Sequence, residues 1–140
     1  MPDRPEATVP PILEADATER VRAIFDDIKA TKSLTFVPRF WRVLATDPDH
    51  LDRVWTHLKA TMHPTKPTQL TPLIREVIAL AVSATNGCPY CVHSHTAAVR
   101  KLGLDAAGIG EVLGVVALFN ATNALAHGYQ IEPDVFAPRE

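Results

Sequence analysis

Thr71-Pro72-Leu73-Ile74-Arg75-Glu76-Val77-Ile78-Ala79-Leu80-Ala81-Val82-Ser83-Ala84-Thr85 runs into Asn86-Gly87-Cys88-Pro89-Tyr90-Cys91-Val92-His93-Ser94-His95. Whether the first of these segments is strand or helix decides the fold. Thr71 supplies a hydroxyl suited to capping, and Pro72 presets the first turn with no amide to lose, so a helix begins there. Asn86-Gly87 ends it, and Cys88-Pro89 repeats the cap-then-proline signature for the helix that follows. Apolar on most faces, the 73–82 helix is expected to be central.

The same signatures recur on either side. Thr18 or Asp16 caps a helix whose Val21, Ile24, Phe25 and Ile28 recur three or four apart, ending near Lys32-Ser33. Pro38 opens a short helix with Phe40, Trp41, Val43 and Leu44 inward and Arg39 and Arg42 outward. Asp47-Pro48 starts another, along which Leu51, Val54, Trp55, Leu58 and Met62 trace one stripe before Pro64. Leu102-Gly103 ends the Cys-bearing helix with a left-handed residue. Asp105 caps a last apolar helix to about His127, with a break expected at Gly108 or Gly110 and a buried setting. No stretch alternates polar and apolar residues, and no Asn-Gly or Asp-Gly joins two β-branched segments. The reading is an all-α, single-domain helical bundle of about six helices over residues 16–128. Residues 1–15, with four of the twelve prolines, form an extended arm, and 129–140 a C-terminal arm.

A chain of 140 residues holds one core of useful size. Fourteen basic against sixteen acidic residues leave a net charge of −2, which gives no field for holding a phosphate backbone, so nucleic acid is excluded as the principal partner. Met1 to Glu6 has neither the basic start nor the apolar stretch of a secretory signal, and the Val112–Ala126 run is interrupted by Gly114, Asn120 and Asn123. A cytoplasmic protein with no membrane partner is expected. In that setting the two cysteines, Cys88 and Cys91, point to redox or metal chemistry.

With Pro89 at the first helical position, Cys88 is the N-cap and Cys91 lies in the first turn, beside unpaired amides that favour a thiolate. Cys88, Cys91 and His95 share a face, and the i, i+4 spacing lets His95 take a proton from Cys91. Glu76 stands about 13 Å from the end of its helix and His95 about 9 Å into the next. In an antiparallel pair, the remaining offset of about 4 Å permits a direct or water-bridged contact. A carboxylate there orients the imidazole, completing a relay from Glu76 through His95 to Cys91.

Glu76, Cys88, Cys91 and His95 in this order and spacing resemble the alkylhydroperoxidase D branch of the carboxymuconolactone decarboxylase-like superfamily. Leu44-Ala45-Thr46-Asp47-Pro48 before a Trp-bearing helix, and Ala117–Ala126 with its two asparagines, extend the similarity to residues 16–128. The resemblance implies that Cys91 attacks a hydroperoxide, Cys88 resolves it, and Glu76 and His95 relay the proton. It implies a peroxidase with no cofactor or metal, reduced by an external dithiol such as a lipoyl carrier or thioredoxin-like protein. A dimeric, trimeric or hexameric homo-oligomer is implied as well. Relatives often carry histidine immediately before the second cysteine, where this chain has Tyr90, an auxiliary phenol that replaces a hydrogen bond but not basicity.

Other readings of the same residues stand beside this one. Two cysteines on a helix also pack as small hydrophobes. Cys88, Cys91, His95 and Glu76 have the donor chemistry of a zinc site, with His93 turned away on an ideal helix. Cys88-Pro89-Tyr90-Cys91 is worded like a glutaredoxin site, but that fold needs a strand before the motif. A non-catalytic redox- or metal-responsive binding module and a lactone decarboxylase-like enzyme are the functional alternatives. Trp41 and Trp55 read as core or subunit contacts. Asn120 and Asn123 read as hydrogen-bonding residues of the core or an interface.

Overall fold

The computed structural model describes residues 7–139. Pro2, Pro5 and the Met1–Glu6 start lie outside them. The fold is all-α: a 3-10 turn at Glu14–Asp16, then α1 (Glu19–Lys32), α2 (Arg39–Leu44), α3 (Pro48–Met62), α4 (Pro72–Thr85), α5 (Pro89–Lys101) and α6 (Ala106–Gly128). Four of the helices open on a side-chain oxygen cap legible in the sequence. Thr18 accepts the Val21 amide, Asp47 those of Asp49 and His50, Thr71 that of Ile74, and Asp105 that of Gly108. The helices fall into two compact units, Met1–Thr68 and Gln69–Glu140.

In the first unit α1 and α2 both pack on α3. Val21, Phe25, Ile28, Val37, Trp41, Leu51 and Trp55 close a core, with Val54 and Leu58 packed against it. Trp41 and Trp55 meet edge to face at 5.2 Å, a favourable aromatic geometry. The Trp55 indole N–H donates to Asp27 at 2.7 Å, which also takes Lys59. Both tryptophans are therefore core residues. Residues 12–14 are fastened to this core: the Ile12 amide donates to the Arg42 carbonyl, and Glu14 accepts the Val37 amide at 2.7 Å and Lys29 at 3.2 Å. Two expectations change here. Arg42 is drawn inward instead of facing solvent, with Nε buried, and Pro38 caps α2 rather than beginning it.

In the second unit α4 packs against both α5 and α6. Gly103, at φ +99°, makes the left-handed turn after α5. No break occurs at Gly108 or Gly110. Gly108 is small because a Cβ there would run into the Leu104 side chain, so it keeps a close contact in the first turn instead of ending the helix. The larger correction concerns burial. No residue of α6 is buried, and Val115, Leu118, Phe119 and Leu125 are each more than half exposed. Apolar composition predicts that a surface wants covering, and α4 covers only one side of this helix. Unbroken, α6 is 23 residues long, enough by length and composition to cross a bilayer. Residues 131–139 carry no helix.

Candidate active site

The α4–α5 junction sets the geometry. Asn86 closes α4, and Gly87 at φ +67° reverses the chain in a conformation that costs glycine little. The Cys88 amide then donates back to the Ser83 carbonyl at 3.0 Å, fixing the residue before α5. Ser83 is buried, and its hydroxyl is spent on the Ala79 carbonyl at 2.6 Å. The sequence reading passed over this residue. Its signal is a polar side chain in an apolar helix, five positions before Cys88.

Cys88 caps α5 with extended backbone, Pro89 follows in the first turn, and the Cys88 sulfur accepts the Cys91 amide at 3.3 Å. The two sulfurs are bonded to each other, with the Cα atoms 5.3 Å apart. The structure therefore holds the oxidised form of the pair.

One helical turn beyond Cys91, His95 Nδ1 lies 2.7 Å from Glu76 Oε2 on α4. The Glu76 side chain is only 15% exposed and that of His95 26%, so the contact is shielded from bulk water. An ionised carboxylate only accepts, so in this contact the donor is Nδ1–H, and Nε2 takes no part in it. The axial arithmetic that set these residues nearly level thus ends in a direct hydrogen bond between packed helices.

The other predicted residues are placed as follows. Tyr90 is half-exposed in the first turn of α5, and His93 is exposed. Asn120 Nδ2 donates to Thr85 Oγ1 at 3.3 Å, joining α6 to α4 within the chain. Around that bond lies an open groove of about 370 Å³ lined by Val82, Thr85, Asn86, Val115, Phe119 and Asn123. Among the described residues, no group of three or more His, Cys, Asp or Glu is arranged to hold a metal ion.

Comparison with known proteins places these residues in a wider set. Residues 48–131 match the profile of the Carboxymuconolactone decarboxylase family. The chain is 45% identical to a solved structure described as the alkylhydroperoxidase AhpD core of Rhodospirillum rubrum. The superposition covers 93% of this chain and 96% of that one at a TM-score of 0.86. It is also 42% identical over 50 residues to the alkyl hydroperoxide reductase AhpD of Maricaulis maris, and 44% identical over 46 residues to that of Streptomyces avermitilis. Those matches take in 36% and 33% of this chain, and only 29% and 26% of the two relatives' length.

Proposed function

The chain belongs to the carboxymuconolactone decarboxylase family, and from that membership and the α4–α5 geometry we propose a thiol-dependent hydroperoxide reductase, with Cys91, Cys88, His95 and Glu76 as its working residues. The observation that carries this reading is the 2.7 Å bond between Glu76 and His95, one turn from a cysteine pair in its disulfide form. A carboxylate bonded to an imidazole one turn from a cysteine pair is the arrangement that a proton relay to the inner sulfur requires.

In the reduced protein His95 Nε2 accepts the Cys91 thiol proton, and Glu76 stabilises the imidazolium that results. The Cys91 sulfur attacks the terminal oxygen of a hydroperoxide. The O–O bond breaks, the leaving alkoxide takes the proton back from His95, and Cys91 becomes a sulfenic acid. The Cys88 sulfur attacks that sulfenic sulfur, the S–O bond breaks as the S–S bond forms, and the departing hydroxide leaves as water with a proton from the Cys88 thiol or, where Cys88 is ionised, from solvent. An external dithiol, such as a lipoyl carrier or thioredoxin-like protein, returns two electrons and two protons by thiol–disulfide exchange. The scheme draws on no metal, haem or flavin. Tyr90, half-exposed in the first turn of α5, is assigned the role of auxiliary hydrogen-bond donor.

The exposed apolar faces of α4 and α6 support a homo-oligomer in which a second copy covers them. Glu111, Asn120, Thr122, Asn123 and His127 along α6 suit a protein interface better than lipid. The test of function is a steady-state peroxidase assay with several dithiol donors. Wild type should turn over, and His95→Ala and Glu76→Gln should slow it with helicity unchanged. Full activity in both variants would remove the relay. Activity that survives Cys91→Ser on a lactone substrate would point to decarboxylase-like chemistry instead.

A further inference from the structure

We propose that Cys88, not Cys91, holds the resting negative charge of the reduced pair, as a thiolate that caps α5, while Cys91 stays protonated until His95 takes its proton. The inference deepens the proposed function and rests on its premise that the pair cycles between disulfide and dithiol.

The two cysteines occupy different electrostatic positions. Cys88 is the N-cap residue with extended backbone, and its sulfur already accepts the Cys91 amide at 3.3 Å. The cap position turns a side chain back onto the open amides of the first turn, and Cys91 donates its own amide to the Cys88 sulfur, so the stabilisation expected from sequence for Cys91 goes to Cys88 instead. When the disulfide is reduced, a charge on Cys88 strengthens that N–H···S bond and lies at the positive end of a 13-residue helix. Both effects favour the thiolate. Once Cys88 is charged, a second negative charge on Cys91 is opposed, so the pair shares one proton and the first ionisation belongs mainly to Cys88.

The groups around the pair do not reverse this. On α4 the ionisable residues are Arg75, which bonds the Leu70 carbonyl, and Glu76, whose carboxylate is bonded to His95. Those near the pair on α5 are Tyr90, His93 and His95, with His93 exposed. His95 is four residues from Cys91 and seven from Cys88, which makes it the base for the inner sulfur.

This division gives each sulfur one task. The capped thiolate stabilises the reduced form, so the disulfide accepts electrons readily from a dithiol. It also stands ready to attack the sulfenic sulfur of Cys91. The inner thiol gains charge only when His95 removes its proton, and the same proton is then available to the departing alkoxide.

The test uses the reduced wild-type protein, freed of reductant and pulsed with iodoacetamide from about pH 5 to about pH 9, with each cysteine's label read by tandem mass spectrometry. A thiolate about two units more acidic than its neighbour should make Cys88 label about ten-fold faster near pH 6. In Cys91→Ser, thiolate absorbance near 240 nm should titrate about two units below the ordinary thiol value, with little further change on adding His95→Ala. Cys91 labelling first, equal rates, or an ordinary thiol titration in Cys91→Ser would each overturn the inference. No peroxide is present in these measurements. Absent peroxidase turnover with Cys88-first labelling would therefore sink the proposed function alone, and Cys91-first labelling with intact turnover would sink this inference alone.

Discussion

Residues 7–68 and 69–139 solve the burial problem in opposite ways. The first unit is the more polar in sequence, yet it closes a core in which Phe25, Ile28, Val37, Leu51 and Trp55 are almost wholly buried. The second contains the two most apolar helices, α4 and α6, yet it buries only Leu80, Val99 and Ser83, and leaves Ile74, Ile78, Val82, Val115, Leu118 and Phe119 exposed. Every residue assigned to the chemistry lies in this second unit. The well-closed core and the proposed chemistry thus lie in different stretches of chain, and the stretch with the proposed chemistry carries the exposed apolar side chains.

That contrast can be broken most forcefully at its stable end. Phe25→Ala should cost about 3–5 kcal/mol in chemical denaturation, because a fully buried aromatic leaves a cavity that packed helices do not refill. The loss should be independent of protein concentration. A cost below about 1 kcal/mol would mean that the first unit is not the self-sufficient one. At the reactive end Glu76→Gln should slow peroxide turnover about 100-fold, roughly 2.7 kcal/mol of barrier, while shifting stability far less. Equal losses of activity and stability would recast the Glu76–His95 bond as structural.

What was legible in sequence, in both units, was what is local. Helix starts were readable wherever a capping oxygen preceded a proline or an apolar stripe, at Thr18, Asp47, Thr71 and Asp105, because capping is a local property. The pairing of Glu76 with His95 was readable too, since a short reversal at Asn86-Gly87 converts helical rise into register. The fastening of Glu14 to Val37, residues 23 apart in sequence, and the inward turn of Arg42 depend on tertiary placement and left no local mark. The apolar pattern of α6 reads as a buried helix, and the structure leaves that helix without a buried residue, because composition records what a side chain prefers and not which surface supplies it.

The exposed face yields the next prediction. Phe119→Asp should weaken self-association about ten-fold or more, roughly 1.4 kcal/mol, read by sedimentation across a concentration series. A wild-type protein that sediments as a single chain at every concentration would refute the assembly. The smallest effect belongs to the first unit. Hydrogen bonds from Lys59 and the Trp55 indole hold the Asp27 carboxyl below its usual value. Its contribution is therefore fully present above the ordinary carboxylate range, near pH 4, and is lost as pH falls through the lowered folded value. With the Asp27 side chain 44% exposed and its ion pair screened by solvent, Asp27→Asn should cost no more than about 1 kcal/mol at neutral pH and flatten the acid limb of the stability curve. An unchanged acid limb would remove Asp27 from the account.

Cys91, served by His95, is the sulfur proposed to meet peroxide, with Cys88 proposed as the capped thiolate. Mixing each reduced single-cysteine variant with hydroperoxide and counting equivalents consumed in one round tests this most directly. Cys88→Ser should consume about one equivalent per chain and stop, and Cys91→Ser should consume almost none on the same timescale. The reverse pattern, with Cys91→Ser reacting and Cys88→Ser inert, would contradict it.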